Sequence, residues 1–239
     1  MSLYIQPNLR ELWNALTIWL AEVIANQNEV FHMALPGGST PESLFRYWAN
    51  SNDIQIPWSK VHFWWTDERM VSPQDPQSNF RMANESFLKA LAIPEKNIHR
   101  ILGEFGLQKA ASLYGMELED SLLRQERKIP LLDLILLGVG PDGHVASLFP
   151  EQAPAEIHPW AVTSYFQKKD RVSLPYEVIL AAKQIAFVVT GDSKKEIVQR
   201  ILHPQNQKDR ELPASIVWAK RPDSIWWVDQ EVIEPSEKL

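Results

Sequence analysis

The segment LLDLILLG (131–138) is apolar almost throughout, over a length that suits a single strand. A run of that kind needs cover on both faces, which is the situation of a central strand in a parallel sheet. FHMAL (31–35), VHFWWT (61–66) and QIAFVVTG (184–191) share this character, and each ends near a turn of small or polar residues. Segments of helical spacing lie between and around them. Leu9, Leu12, Trp13, Leu16, Trp19, Leu20, Val23 and Ile24 recur on one face and predict an amphipathic helix. STPESLFRYWA (39–49) reads as a helix, with Ser39 or Thr40 as its cap and Pro41 in its first turn. Further helices are predicted after Ser78, over LQKAASLYGMELEDSLLRQER (107–127) and over DSKKEIVQRIL (192–202). ASIVWA (214–219) and SIWWVD (224–229) read as short closing strands. Alternating strands and helices predict an α/β layered fold with a mostly parallel sheet.

Composition narrows the classes of function. Of 239 residues, 45% are hydrophobic and 23% charged, enough apolar material for a sizeable core. The 17 prolines are scattered, no fixed-period repeat is visible and no linker-like tract divides the chain. A single domain over 1–239 is therefore expected. A net charge of −6 argues against nucleic acid or an anionic membrane as partner. It leaves room for a local basic pocket. With no cysteine, disulfides, thiolate metal sites and a cysteine nucleophile are excluded. The start, MSLYIQPNLREL, lacks the basic-then-apolar pattern of a signal peptide, and no apolar run is long enough to cross a bilayer. A cytoplasmic protein is expected, and a monomer is the default.

In α/β sheets ligands bind where loops leave the C-terminal ends of the strands. Those loops are PGGST (36–40), TDERMV (66–71), GVGPDGH (138–144) and TGDSKK (190–195). Gly138, Gly140 and Gly143 spell the glycine pattern of a dinucleotide turn. That turn needs a helix running straight out of it, to carry the pyrophosphate. Here any helix is cut short by Pro150, PEQAPAEIHPW reads as loop, and no strand leads to Glu156. The alternative is a turn shaped to project His144, the side chain most easily poised as a general acid or base near neutral pH. Asp142 could orient its ring or position a water, and Asp67 could orient it or meet sugar hydroxyls. Locally, Asp-Gly is equally an ordinary turn with a surface histidine. His32, His62, His99, His158 and His203 have no such setting and read as structural or solvent-facing.

PGGSTP offers glycines that let a ligand approach the backbone, free N–H groups at a helix start, and the Ser39 and Thr40 hydroxyls. Alone it is a simple strand-to-helix turn. Lys194, just past another strand end, makes a monophosphate site of it, with Gly37 and Gly38 as the close-approach residues. A nucleotide triphosphate loop would end Gly-Lys-Ser/Thr, which is missing. Arg69 can hold a phosphate or carboxylate with two hydrogen bonds. Trp64–Trp65 and Trp226–Trp227 read as strand core. No metal-binding spacing is present, so no metal is expected.

LPGGSTP (35–41), TDERMV (66–71) with the downstream SNFRMA (78–83), GVGPDGHVASLFP (138–150) and VTGDSKK (189–195) together resemble the 6-phosphogluconolactonases. The resemblance runs from about residue 10 to about residue 220. It implies a three-layer α/β/α fold with the Rossmann-like topology of the phosphosugar isomerases and lactonases. It also implies hydrolysis of 6-phospho-D-glucono-1,5-lactone to 6-phosphogluconate, in the oxidative pentose phosphate pathway and without a cofactor. By the same resemblance His144 activates water, Asp67, Arg69 and Asp142 assist, and the Gly37–Thr40 loop with Lys194 holds the phosphate. Arg171 resembles a family position near the substrate, although KKDR also reads as a charged surface run.

Glucosamine-6-phosphate isomerase/deaminases share that fold and are the competing assignment. They carry Phe-Asn-Glu-Pro after the DGH turn, where this chain has Ser147, Leu148, Phe149 and Pro150 and no carboxylate. They also typically have tyrosine in place of Arg69. A sugar-phosphate-binding module without catalysis is the other competing reading. Asp67, Arg69 and His144 together argue against it.

Overall fold

In the computed structural model, which describes residues 2–27, 29–51, 54–123 and 128–233, the apolar runs form the middle of one parallel sheet. The chain begins with β1 (Ser2–Gln6), α1 (Leu9–Ala25), β2 (Phe31–Leu35), α2 (Ser39–Asn50) and β3 (Val61–Trp65). It continues through β4 (Asp67–Arg69), α3 (Asn79–Ala83), β5 (Ile98–His99), α4 (Leu107–Leu122) and β6 (Leu134–Leu137). Then come β7 (Ala155–His158), β8 (Ala161–Phe166), β9 (Lys169–Ser173), α5 (Tyr176–Ala181) and β10 (Gln184–Val189). The described chain ends with α6 (Lys195–Leu202), α7 (Gln207–Arg210), α8 (Pro213–Lys220) and β11 (Ile225–Asp229).

The seven-stranded sheet has the order β1-β11-β10-β6-β2-β3-β5, and all its pairings are parallel. Helices flank it in a three-layer α/β/α arrangement. Every residue of β6 is buried, as its unbroken apolar run demands. Trp64, Trp65, Trp226 and Trp227 all lie in the core. The ladder fixes the site as well. β10, β6, β2 and β3 are consecutive neighbours, so the four loops leaving their C-terminal ends emerge side by side.

A second, four-stranded antiparallel sheet of order β4-β9-β8-β7 was not expected from the sequence. The chain passes directly from β3 through Thr66 into β4. Thr66 bridges the two sheets: its N–H donates to Leu35 O at 2.9 Å and its carbonyl accepts from Leu174 N at 2.8 Å. Residues 150–160, read as loop, contain β7, and the charged run KKDRVS contains β9. β7 was hidden because an exposed antiparallel strand carries polar residues, and β9 because its polar residues Arg171 and Ser173 are buried, which residue type does not announce. The edge strand β1 was missed as β7 was, since only half of it faces the core.

Two further expectations differ from the structure. ASIVWA is not a strand; it lies in α8, where Pro213 sits in the first turn and Ala214 and Val217 are buried one helical turn apart. The place beside β10 belongs instead to β11, which carries the tryptophan pair. The helix predicted after Ser78 is observed as α3, which then loosens to wider hydrogen bonding over Asn84–Leu88. Neither Ser39 nor Thr40 caps α2: Gly38, at φ +107°, precedes it without any side-chain cap, and Thr40 Oγ1 bonds to Thr190 Oγ1 at 2.8 Å. The predicted helix over 107–127 is observed as α4 to Leu122, and its last positions, 124–127, lie outside the described residues.

Candidate active site

The four loops and the start of the antiparallel sheet enclose a cleft of about 230 Å³. That is just below the usual range of ligand sites, roughly 300 to 1,000 Å³, and suits a small molecule. Gly37, Gly38, Ser39, Thr40, Asp67, Arg69, His144, Arg171 and Lys194 all line it. Asp142 stands behind His144.

The glycine turn has a local physical logic. Gly140 N donates to His144 O at 2.9 Å, and Gly143 N donates to Gly140 O at 3.0 Å, closing the loop. Gly143 has φ +84°, which a side chain would strain. A Cβ on Gly140 would overlap the His144 imidazole. The glycines therefore make room for a histidine. After His144 the chain forms a bridge between Val145 and Leu148 and no helix, so a dinucleotide's pyrophosphate would lack its helix N-terminus.

His144 Nδ1 lies 2.5 Å from Asp142 Oδ1. Burial disfavours the charged form of Asp142, but the hydrogen bond and charge of His144 outweigh it, and the carboxyl pKa falls below the ordinary aspartate value. An ionised carboxylate only accepts, so Nδ1 carries a proton, and in the neutral ring the lone pair is on Nε2. That is the tautomer a general base requires. Because the folded-state pKa of Asp142 is depressed, the pair contributes stability above the unfolded pKa and loses it as pH falls through the folded one.

Asp67 is committed elsewhere. It accepts from Ser147 Oγ at 2.6 Å and from Asn79 Nδ2 at 3.3 Å, and lies 3.8 Å from Arg171 Nη1. The carboxylate hydrogen-bonded to His144 is thus Asp142. Arg171 sits opposite Arg69 in the β4–β9 ladder and is buried, with 7% exposure, contrary to a surface run. Its guanidinium lies 5.7 Å from the rings of both Phe149 and Phe166, and those two rings stack at 4.0 Å. Burial lowers the Arg171 pKa while Asp67 raises it, and the group remains a cation. Arg69 Nη1 donates to Gln77 O at 2.7 Å. Lys194 Nζ donates to Val139 O at 2.8 Å, which ties the start of α6 to the glycine turn. Burial lowers its pKa and the Asp142 carboxylate opposes that shift. Among the described residues no group of three or more histidines or carboxylates is placed to hold a metal ion.

Sequence reasoning gave no role to Glu68, Ser78 or Asn79. Glu68 is buried and accepts from the N–H groups of Arg69, Asn79 and Phe80 and from Ser78 Oγ. Burial pushes its pKa up and those four donors oppose the shift. The carboxylate thereby anchors the start of α3 to β4. A signal did exist, since an acidic residue ahead of Ser-Asn at a helix start is N-terminal capping chemistry. It was obscured by the nine residues between Glu68 and Ser78. Glu68→Ala leaves buried donors unpaired, each costing about 1–3 kcal/mol. A total loss of about 3 kcal/mol or more in urea unfolding is expected; a loss under about 1 kcal/mol would mean that water replaces the carboxylate.

The parallel sheet, with its ligand cleft at the carboxyl ends of the central strands, defines an α/β protein built to act on a small anionic molecule. Residues 8–227 match the model of the family described as glucosamine-6-phosphate isomerases/6-phosphogluconolactonase, and the chain belongs to that family. A 6-phosphogluconolactonase of Aggregatibacter actinomycetemcomitans is 35% identical over 216 residues, covering 87% of this chain and 89% of the relative. A 6-phosphogluconolactonase of Treponema pallidum is 38% identical over 176 residues, covering 72% of this chain and 73% of the relative. A crystal structure described as the devB protein superposes with a TM-score of 0.86 at 35% identity, over 97% of both chains.

Proposed function

We propose that this protein is a 6-phosphogluconolactonase, hydrolysing 6-phospho-D-glucono-1,5-lactone to 6-phosphogluconate in the oxidative pentose phosphate pathway. The observation that carries the reading is His144, held by Asp142 in the tautomer of a base and lining the same cleft as a cationic, glycine-rich anion site. The lactonase relatives support it from outside the site. The deaminase assignment is disfavoured because the segment after the glycine turn brings Phe149 against His144, at 4.8 Å between ring centroids, where a second carboxylate would be needed.

The substrate's phosphate docks on the uncapped first turn of α2, at Gly37–Thr40, with Lys194 and an arginine, Arg69 or Arg171, as counter-charges. Remote binding energy of this kind orients the lactone carbonyl near His144. His144 Nε2 takes a proton from water as the water oxygen bonds to the carbonyl carbon. Arg69, or a backbone N–H of the glycine turn other than those of Gly140 and Gly143, which are taken within the turn, stabilises the oxyanion. When the oxyanion collapses, the bond from the carbonyl carbon to the ring oxygen breaks, and the imidazolium returns its proton to that oxygen. Asp67 fixes Ser147 and Arg171 around this centre. No step calls for a cofactor.

The test is the decay of freshly generated lactone in excess of the spontaneous rate; no excess overturns the reading. Asp142→Asn is expected to lower kcat by roughly tenfold to a hundredfold with KM little changed. That is less than the roughly 10⁴ seen for a fully buried triad aspartate, because the Asp142 side chain is 37% exposed and water can partly replace it. An unchanged kcat would remove Asp142 from the mechanism.

No described helix is long and apolar enough to cross a membrane. A single-domain, cytoplasmic monomer acting on a small phosphorylated lactone, and not on nucleic acid, belongs to the same proposal. Size-exclusion chromatography tests the monomer.

A further inference from the structure

Asn79 reaches two of the elements that line the cleft. It is the first residue of α3 and is only 2% exposed. Ser78 caps the helix by accepting from Arg81 N at 3.1 Å, and Glu68 Oε1 accepts from the Asn79 N–H at 2.7 Å. The side chain therefore starts from a fixed point. Its Nδ2 donates to the Asp67 carbonyl at 2.8 Å and to Asp67 Oδ1 at 3.3 Å. On the other side, a Cβ built on Gly37 would overlap the Asn79 carboxamide. The backbone of Gly37 is not in the left-handed region, unlike that of Gly38. Glycine at 37 is therefore demanded by the approach of Asn79 and not by the conformation of the loop.

We infer that Asn79 is a positioning residue, holding the phosphate-binding loop at Gly37 in register with the Asp67 wall of the cleft. The inference rests on the lactonase reading, in which Gly37–Thr40 receives the phosphate. His144 and Asp142 stand on a different loop, so loosening Gly37 acts on phosphate binding and leaves the base in place. A residue that served stability alone would change the fraction of folded enzyme, and hence the apparent kcat, with KM unmoved.

The experiment is a double-mutant cycle of wild type, Asn79→Ala, Gly37→Ala and the double variant, read as KM for the lactone and Kd for 6-phosphogluconate. Asn79→Ala is expected to raise both constants by about tenfold, with kcat per folded molecule within about threefold of wild type. Gly37→Ala is expected to be worse than that in the wild-type background. It should be milder once Asn79 is alanine, because the vacated space accepts the methyl group. A KM within about twofold of wild type for Asn79→Ala, or independent effects of the two substitutions, overturns the inference. Should Asn79→Ala fail to fold, Asn79→Ser, shorter and without the carboxamide, carries the same KM comparison. Should the wild type show no lactone turnover, the functional reading fails by itself. The same cycle read as Kd for inorganic phosphate then decides the inference, coupling supporting it and additivity overturning it.

Discussion

His144→Ala is expected to lower lactone turnover by about 10³-fold, within the range of roughly 10²–10⁴ that general-base catalysis contributes. Binding of 6-phosphogluconate should change little, because the phosphate is gripped by a different loop. The histidine is a cleft-lining group held in place by its neighbours: Asp142 pairs with Nδ1, and Gly140 leaves the space the ring occupies. The variant should fold normally, since the imidazole is partly exposed, at 22%, and its removal opens no sealed cavity. The rate must be taken as the excess over spontaneous opening, with circular dichroism run on the same sample. A folded variant with wild-type turnover would remove His144 as the base.

Lys194→Ala should act on the other half of the site. A charge-assisted hydrogen bond to phosphate is worth about 1.5–3 kcal/mol, so KM and the Kd for 6-phosphogluconate are expected to rise by about 10- to 100-fold. The effect on kcat should be smaller. Some loss is expected because Lys194 Nζ also braces the carbonyl of Val139 inside the glycine turn. Lys194→Arg should restore part of the affinity, as the charge returns without the same reach. The wild-type pH profile gives an independent readout. Burial lowers the Lys194 pKa, so the cation is lost at a lower pH than for a free lysine. The fall of kcat/KM on the alkaline side should therefore begin below the ordinary lysine range and be absent in Lys194→Ala. Unchanged affinity for 6-phosphogluconate in that variant would move the phosphate to Arg69 and Arg171.

Much of the site was legible from the sequence because its parts are local. PGGST, the DGH turn and the TGDSK loop each carry their chemistry within a few residues, at the ends of strands whose apolar runs announce themselves. The length and two-sided burial of β6, β2, β3 and β10 follow from residue type alone. Order along the chain then places the loops at one sheet edge, since parallel strands share a direction.

Tertiary structure decided the rest. The placement of Arg171 beside Arg69 depends on β9 pairing with β4 across about a hundred residues of chain, and both strands are too short and too polar to be read from periodicity. By sequence, either Asp142 or Asp67 could partner His144. The choice fell to Asp142 because Asp67 is taken by Ser147 and Asn79, which arrive from two other elements. Gly37 looked like a glycine chosen for phosphate approach, yet it is also the surface against which Asn79 packs. Local patterns thus specify which groups are available and on which strand end they stand. Only the packed chain, through non-local pairing and exclusion of volume, specifies which of those groups meet.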